Sequence, residues 1–303
     1  MNTESTTGRP IPIFSILSAA AVVVGIVVGI GIFRLPPIVA ANSSNGVQFL
    51  LFWVAGGAIS ILGALCYAEL AASYPDAGGE YHFLSRAYGP SLGFLFSWGR
   101  MTVIQTGSIA LAGFILGDYA SLLLDLGPAS SSIYAGLTVL LLTALNVWGT
   151  NPSRKTQNVM TAVIVIILLI TTAVGFSVNA GMPPITDMNQ SDAGGGAAGA
   201  AMIFVLLTFG GWNEAAYLSA EIKDVKKNMI RVLILGLGLI TLLYLLVNYA
   251  YLHVLGLEGL QNSDTVGAAL IEKLFGPIGV YIMSITVIFT ALSTMNATII
   301  TGA

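Results

Sequence analysis

Along the 303 residues, long apolar stretches alternate with short polar ones, and the length of each stretch carries the signal. Crossing a hydrocarbon core of roughly 30 Å as a helix takes about 20 mainly apolar residues. Stretches of that kind lie at 12–39, 47–72, 91–117, 133–150, 157–179, 198–220, 230–252 and 278–302. Without water in that layer each backbone group must be satisfied within its own segment, so these stretches are predicted to be helices. The polar interval 73–90, SYPDAGGEYHFLSRAYGP, leaves room for a short interfacial helix between Gly79 and Tyr88, stopped by Gly89-Pro90, or for a plain connector.

Two of the stretches are interrupted. In the first, VVVGIVVGIGIFRLPP from Val22 to Pro37 contains Gly25, Gly29, Gly31, Pro36 and Pro37, and in a helix interior Gly costs about 1 kcal/mol and Pro about 3. A packing face made by Gly25 and Gly29, or a simple proline kink, would explain it alone. A nucleotide-binding glycine pattern would not, because that fingerprint follows a strand in a soluble βαβ unit. In the sixth stretch Gly210-Gly211 falls halfway and is followed by Trp212, Asn213 and Glu214, polar groups that are expensive at that depth unless they face protein or water. Interrupted helices at matching places of two halves are the pattern of inverted-repeat transporters, where they meet at a midplane substrate site. Unwound backbone offers free N–H groups to an anion and free carbonyls to a cation or ammonium group. A zwitterion such as an amino acid needs both.

Composition sets the class: 56% of residues are hydrophobic, 8% are charged, and the mean hydropathy is +0.88, values of a polytopic membrane protein rather than a soluble domain. Outside the spans, Arg9, Arg86, Arg154, Lys155, Lys223, Lys226, Lys227 and Arg231 fall in or beside gaps on one side, against Lys273 alone on the other. Cytoplasmic loops retain Lys and Arg, so the N-terminus is expected in the cytoplasm and the chain in the cell membrane. The opposite loops carry Asp118, Asp125, Asp187, Asp192, Glu258, Asp264 and Glu272, so the net charge of -3 says little by itself. The first apolar run is too long for a cleaved signal peptide and is expected to stay. Cys66 is the single cysteine, excluding an intrachain disulfide, and His82 and His253, placed in separate loops, make no metal set. No HExxH, GxSxG or carboxylate pair lies within a span, which argues against an enzyme. Nothing points to nucleic acid or to an obligate protein partner.

The segments VVGIGIF, ALCYAELAASYPDAGGEYHFLSRAYGP and FGGWNEAAYLSAEIKDVKKNMIR, in this order, resemble the amino acid-polyamine-organocation superfamily, nearest its permeases related to the L-type amino-acid transporters. The resemblance runs from about Ile11 to the end. It implies an all-α membrane domain of the LeuT-type inverted-repeat fold, five helices plus five. Residues 12–179 would form the first repeat and 198–303 part of the second, so a chain ending at Ala303, at the close of the eighth span, reads as truncated after helix 8. The implied activity is secondary transport of amino acids by alternating access, as symport or exchange.

The same resemblance implies roles for particular residues. The amides of Ile30 and Gly31 would hold the substrate carboxylate, and the carbonyls of Val27, Leu207, Thr208 and Gly210 its ammonium group. L-type members carry a small hydroxyl residue at Ile30 and an aromatic gate at Leu207; here both are aliphatic, with Thr208 and Phe209 nearby, which favours neutral or apolar substrates. Ser293 and Thr294 match the hydroxyl pair that binds sodium in sodium-coupled members, where carbonyls at Gly25, Val28 and Thr290 complete the site. Back-bonding to their own helix is the plain alternative for such hydroxyls. A lysine of some proton-coupled or exchanging relatives is absent, with Ile164 about where it would stand. Beyond a sodium ion or proton as coupling ion, no cofactor is expected.

Charges inside spans are functional candidates by default. Arg100 either snorkels to the surface or pairs with Glu69, Glu214 or Glu221 in an internal gate, and Arg34 lines the outer vestibule or snorkels outward. Other functions compatible with the pattern are a sensor or receptor on the same fold, transport of a related amine, or a channel.

Overall fold

The computed structural model describes residues 15–74, 76, 78–147, 154–177, 195–213, 222 and 224–302, and its regular elements are helices. In chain order they are α1 (Ile16–Val27), α2 (Gly31–Arg34), α3 (Pro36–Ala41), α4 (Gly46–Ser73), α5 (Gly79–Tyr88), α6 (Pro90–Gly99), a π-helical turn (Arg100–Gln105), α7 (Thr106–Leu123), α8 (Ser130–Val147), α9 (Arg154–Ser177), α10 (Gly195–Phe209), α11 (Val225–Gln261), α12 (Val266–Phe275) and α13 (Pro277–Gly302). Each of the eight predicted stretches contains one apolar helical segment. Gly46–Ser73, Pro90–Leu123, Lys227–Gln261 and Pro277–Asn296 are long and apolar enough to cross a membrane alone, while Ala19–Arg34, Ser130–Leu145, Ala162–Ser177 and Ala197–Phe209 are apolar but shorter.

Local chemistry explains the boundaries. Asn45 caps α4 by accepting from the Gln48 amide at 2.8 Å, and the Gln48 side chain accepts from the Ser44 amide at 2.6 Å, two orphan donors satisfied at one helix start. The short helix expected in 73–90 is α5, and it ends where Gly89 turns to φ 93 ahead of Pro90 at the first position of α6. Both histidines sit in helices, His82 in α5 and His253 in α11, rather than in the loops expected for them. His253 is helical because α11 runs past the apolar limit at residue 252, and His82 because the interval 73–90 forms its short helix rather than a plain connector.

Close packing comes from glycine. A Cβ at Gly57 would lie 2.4 Å from Thr241 Cγ2 and one at Gly46 3.0 Å from Leu252 Cδ2, which sets α4 and α11 side by side and antiparallel. Gly236 meets Val23 on α1 and Gly56 meets Val205 and Phe209 on α10 in the same way. In a bilayer, where lipid is as apolar as leucine, such close approach supplies the packing energy between helices. Trp53, Phe209 and Tyr244, all fully buried, fill the space these helices enclose, with centroids 5.2–6.4 Å apart.

Candidate binding site at two opposed helix breaks

With the eight predicted stretches numbered in order as helices 1 to 8, helix 1 loses its regular bonding where the glycines predict. α1 ends at Val27, residues 28–30 are non-helical, and α2 resumes at Gly31 for a single turn before a bend at Leu35 and the proline-started α3. Among the described residues the amides of Gly29, Ile30 and Gly31 donate to no backbone carbonyl, and the Val28 carbonyl receives no backbone amide. Buried backbone groups are almost always paired; the Gly29 backbone bonds the Tyr244 hydroxyl, and the Ile30 and Gly31 amides and the Val28 carbonyl are open to a ligand or water.

The break in helix 6 falls at Gly210-Gly211. Thr208 and Phe209 are still in α10, and the chain turns at Gly210 and at Gly211, whose φ of 104 suits only glycine. The two breaks face each other. A Cβ on Gly31 would sit 3.4 Å from Thr208 Cα, and one on Gly211 would sit 3.3 Å from the Ile26 carbonyl oxygen.

The expected ligand groups are only partly assembled. Val27 and Thr208, on opposite sides of the gap, share one partner: the Tyr244 hydroxyl lies 3.0 Å from the Val27 carbonyl and 3.4 Å from the Thr208 carbonyl. With one proton it donates best to the nearer oxygen. Tyr244 escaped sequence reasoning because a tyrosine within the apolar run 230–252 reads as core filling; its hydroxyl at mid-span was the available signal. Ile30 is buried beside the break and Phe209 packs on Tyr244. Leu207 departs from expectation: its carbonyl accepts from the Gly210 amide at 3.1 Å and its side chain is half exposed, because the turn at Gly210 closes back onto it.

The hydroxyls of the eighth span use their own helix. Thr290 Oγ1 donates to the Thr286 carbonyl at 2.9 Å, and Thr294 Oγ1 donates to the Thr290 carbonyl at 3.1 Å. That is the plain alternative for these residues, and it engages one carbonyl of the expected cation set. Thr294 Oγ1 nonetheless lies 3.7 Å from where a Gly29 Cβ would stand, with Thr290 and Ser293 buried, so the set borders the break in helix 1. Ile164 is buried in the core.

Of the carboxylates expected for Arg100, only Glu69 lies among the described residues, and no ion pair joins the two. Arg100 pairs with Glu80 on α5, whose other oxygen accepts from Tyr67 Oη at 2.8 Å and from Asn213 Nδ2 at 3.0 Å. Glu69 is exposed on α4, and Glu214 and Glu221 lie outside the described residues. Reading along the spans hid Glu80, because α5 folds back and carries a loop carboxylate under helices 2, 3 and 6. At the other end of the molecule Arg34 forms a 3.4 Å ion pair with Asp118 and a hydrogen bond to the Asp264 carbonyl. No cluster of three metal-ligating side chains occurs among the described residues.

Comparison with known proteins follows the same segments. The profile of the amino acid permease family matches residues 14–303. The chain is 27% identical over 294 residues to the mouse b(0,+)-type amino acid transporter 1, covering 95% of this chain and 60% of that protein. It is 29% identical to the serine/threonine exchanger SteT of Bacillus subtilis over 94% of this chain and 65% of that one. Against the human large neutral amino acids transporter small subunit 2 it is 28% identical, over 95% and 56%. The chain thus spans less than two thirds of the length of these relatives.

Proposed function

Since the chain belongs to the amino acid permease family, whose members are transporters and not enzymes, we propose that it carries amino acids across the cell membrane by alternating access. The substrate lies between the breaks of helices 1 and 6, its carboxylate on the Ile30 and Gly31 amides and its ammonium group on the carbonyls of Val27, Thr208 and Gly210. The observation that carries this reading is the opposition of the two breaks, with unpaired amides on one strand of the gap and carbonyls on both. Main-chain recognition of this kind reads the part common to all amino acids.

Selectivity then rests on the neighbours. Ile30 and Phe209 are buried and apolar, and two of the similar proteins are named for serine and threonine or for large neutral amino acids, which favours a neutral or apolar substrate. The fold belongs to the LeuT-type inverted-repeat class, with residues 12–179 as one repeat and 198–303 as part of the other, and the N-terminus faces the cytoplasm. A sodium ion at Gly25, Val28, Thr290, Ser293 and Thr294 drives uptake, with substrate exchange as the competing mode. The test is uptake of labelled neutral amino acids by purified protein in vesicles. Gly31→Leu and Gly210→Leu insert a side chain where the nearest atoms stand 3.3 Å and 3.0 Å from a Cβ, so both should insert in the membrane and lose uptake. Normal transport by both variants would refute the site.

A further inference from the structure

The alternating-access reading leaves open what holds each broken helix shut, and two charged clusters lie at opposite ends of one continuous helix. That helix is Pro90–Leu123, made of α6, the π turn and α7. Arg100 opens its π turn and Asp118 lies near its far end. In an unbroken α-helix residues 18 apart face the same way, since that is about five turns. A π turn takes an extra residue, which rotates one end against the other by about 100°. The bulge thereby aims Arg100 and Asp118 at different neighbours.

Each of them reaches a residue just past one of the two breaks, Asp118 directly and Arg100 through Glu80. Past the break in helix 1, Arg34 closes α2 and pairs with Asp118, while its second bond reaches the Asp264 carbonyl in the turn before α12. Past the break in helix 6, Asn213 donates to Glu80, and Glu80 is held by Arg100 and Tyr67. Trp212 packs beside them, its ring 5.1 Å from that of Tyr67 and its edge against Gly63. We propose that helix 3 is a strut with a latch at each end: Glu80, bridging Asn213 and Arg100, holds the α5 side closed, and the Arg34–Asp118 pair holds the opposite side closed. Glu80 is a positioning residue, because it touches Asn213 just past the break and not the substrate gap. Both latches are made in this structure, and opening one side requires parting only its own.

A reporter exists on α4. Ser60 is buried, on the helix face between Gly56, which meets Phe209, and Gly63, which meets Trp212. In a Cys66→Ser background, Ser60→Cys would be labelled by a membrane-impermeant maleimide in vesicles, from each side separately and without substrate. Glu80→Gln should raise labelling from the α5 side several-fold. Asn213→Ala, which removes only the contact to helix 6, should do the same if the first variant folds poorly. The exchange Glu80→Arg with Arg100→Glu should return labelling towards the parent, and Asp118→Asn should leave α5-side labelling unchanged. Unchanged labelling in both Glu80→Gln and Asn213→Ala, or an equal rise in Asp118→Asn, would overturn the two-latch assignment. Because no substrate is needed, a protein that fails to transport amino acids still tests the latches.

Discussion

Replacing Gly211 by alanine tests the geometry of the helix-6 break with one methyl group. Two costs add. At a φ of 104 an L-residue is outside its ordinary regions, and such backbone strain costs of order 1–3 kcal/mol. The new Cβ would also stand 3.3 Å from both the Ile26 carbonyl oxygen and its Cγ2, tighter than ordinary contact, and relief must come from moving α1 or α10. Together these come to about 2–3 kcal/mol, a factor of about 30–150 in the population that keeps the break as seen. The chain can relax by continuing α10 through the break, which would close the gap to Ile26 and withdraw the Thr208 and Gly210 carbonyls. Uptake in vesicles should fall by at least an order of magnitude, and the detergent-solubilised protein should melt at lower temperature. Gly107→Ala is the control: it lies in a helix with nothing within 4 Å of the added atom, where alanine is favoured over glycine by up to about 1 kcal/mol. If Gly211→Ala transports and melts like the parent, the break does not depend on its glycine and the geometry argued from it fails.

Tyr244→Phe removes the single hydroxyl that spans the Val27 and Thr208 carbonyls; losing about 1 kcal/mol of hydrogen bonding should raise the KM for uptake by up to about tenfold with the aromatic packing and expression retained, and an unchanged KM would separate the hydroxyl from the site. Uptake should collapse when sodium is replaced by choline, and Ser293→Ala with Thr294→Ala should abolish the sodium response; if uptake in choline is normal, or if the double variant keeps its sodium dependence, the cation site is absent and vesicles preloaded with unlabelled amino acid should show exchange instead.

The helix plan was legible because a span announces itself by length alone, and the break in helix 1 because Gly29, Gly31, Pro36 and Pro37 contradict the apolar run around them. Gly210-Gly211 marked the second break, where Gly210 reaches back to the Leu207 carbonyl and the chain turns at Gly211. What hid were partnerships across the sequence. Asn213 and Glu80 are 133 residues apart and Tyr244 and Val27 are 217 apart, and no local pattern ties such pairs. Arg100 was visible as a charge in a span, but Glu80 lay outside the spans, in an interval read as a short helix or a connector, and α5 brings it beneath the bundle.

The central claim is that one gap recognises both ends of an amino acid through main-chain groups, and analogue competition addresses it most directly. Vesicles containing the protein would take up whichever labelled neutral amino acid it transports, in the presence of the unlabelled parent, the matching amine without its carboxylate, or the matching acid without its ammonium group. Each missing charged end removes hydrogen bonds worth about 1.5–3 kcal/mol apiece, so both analogues should compete at least about 10-fold more weakly than the parent. An amine or an acid that competes as well as the parent amino acid would contradict binding between the two breaks as described.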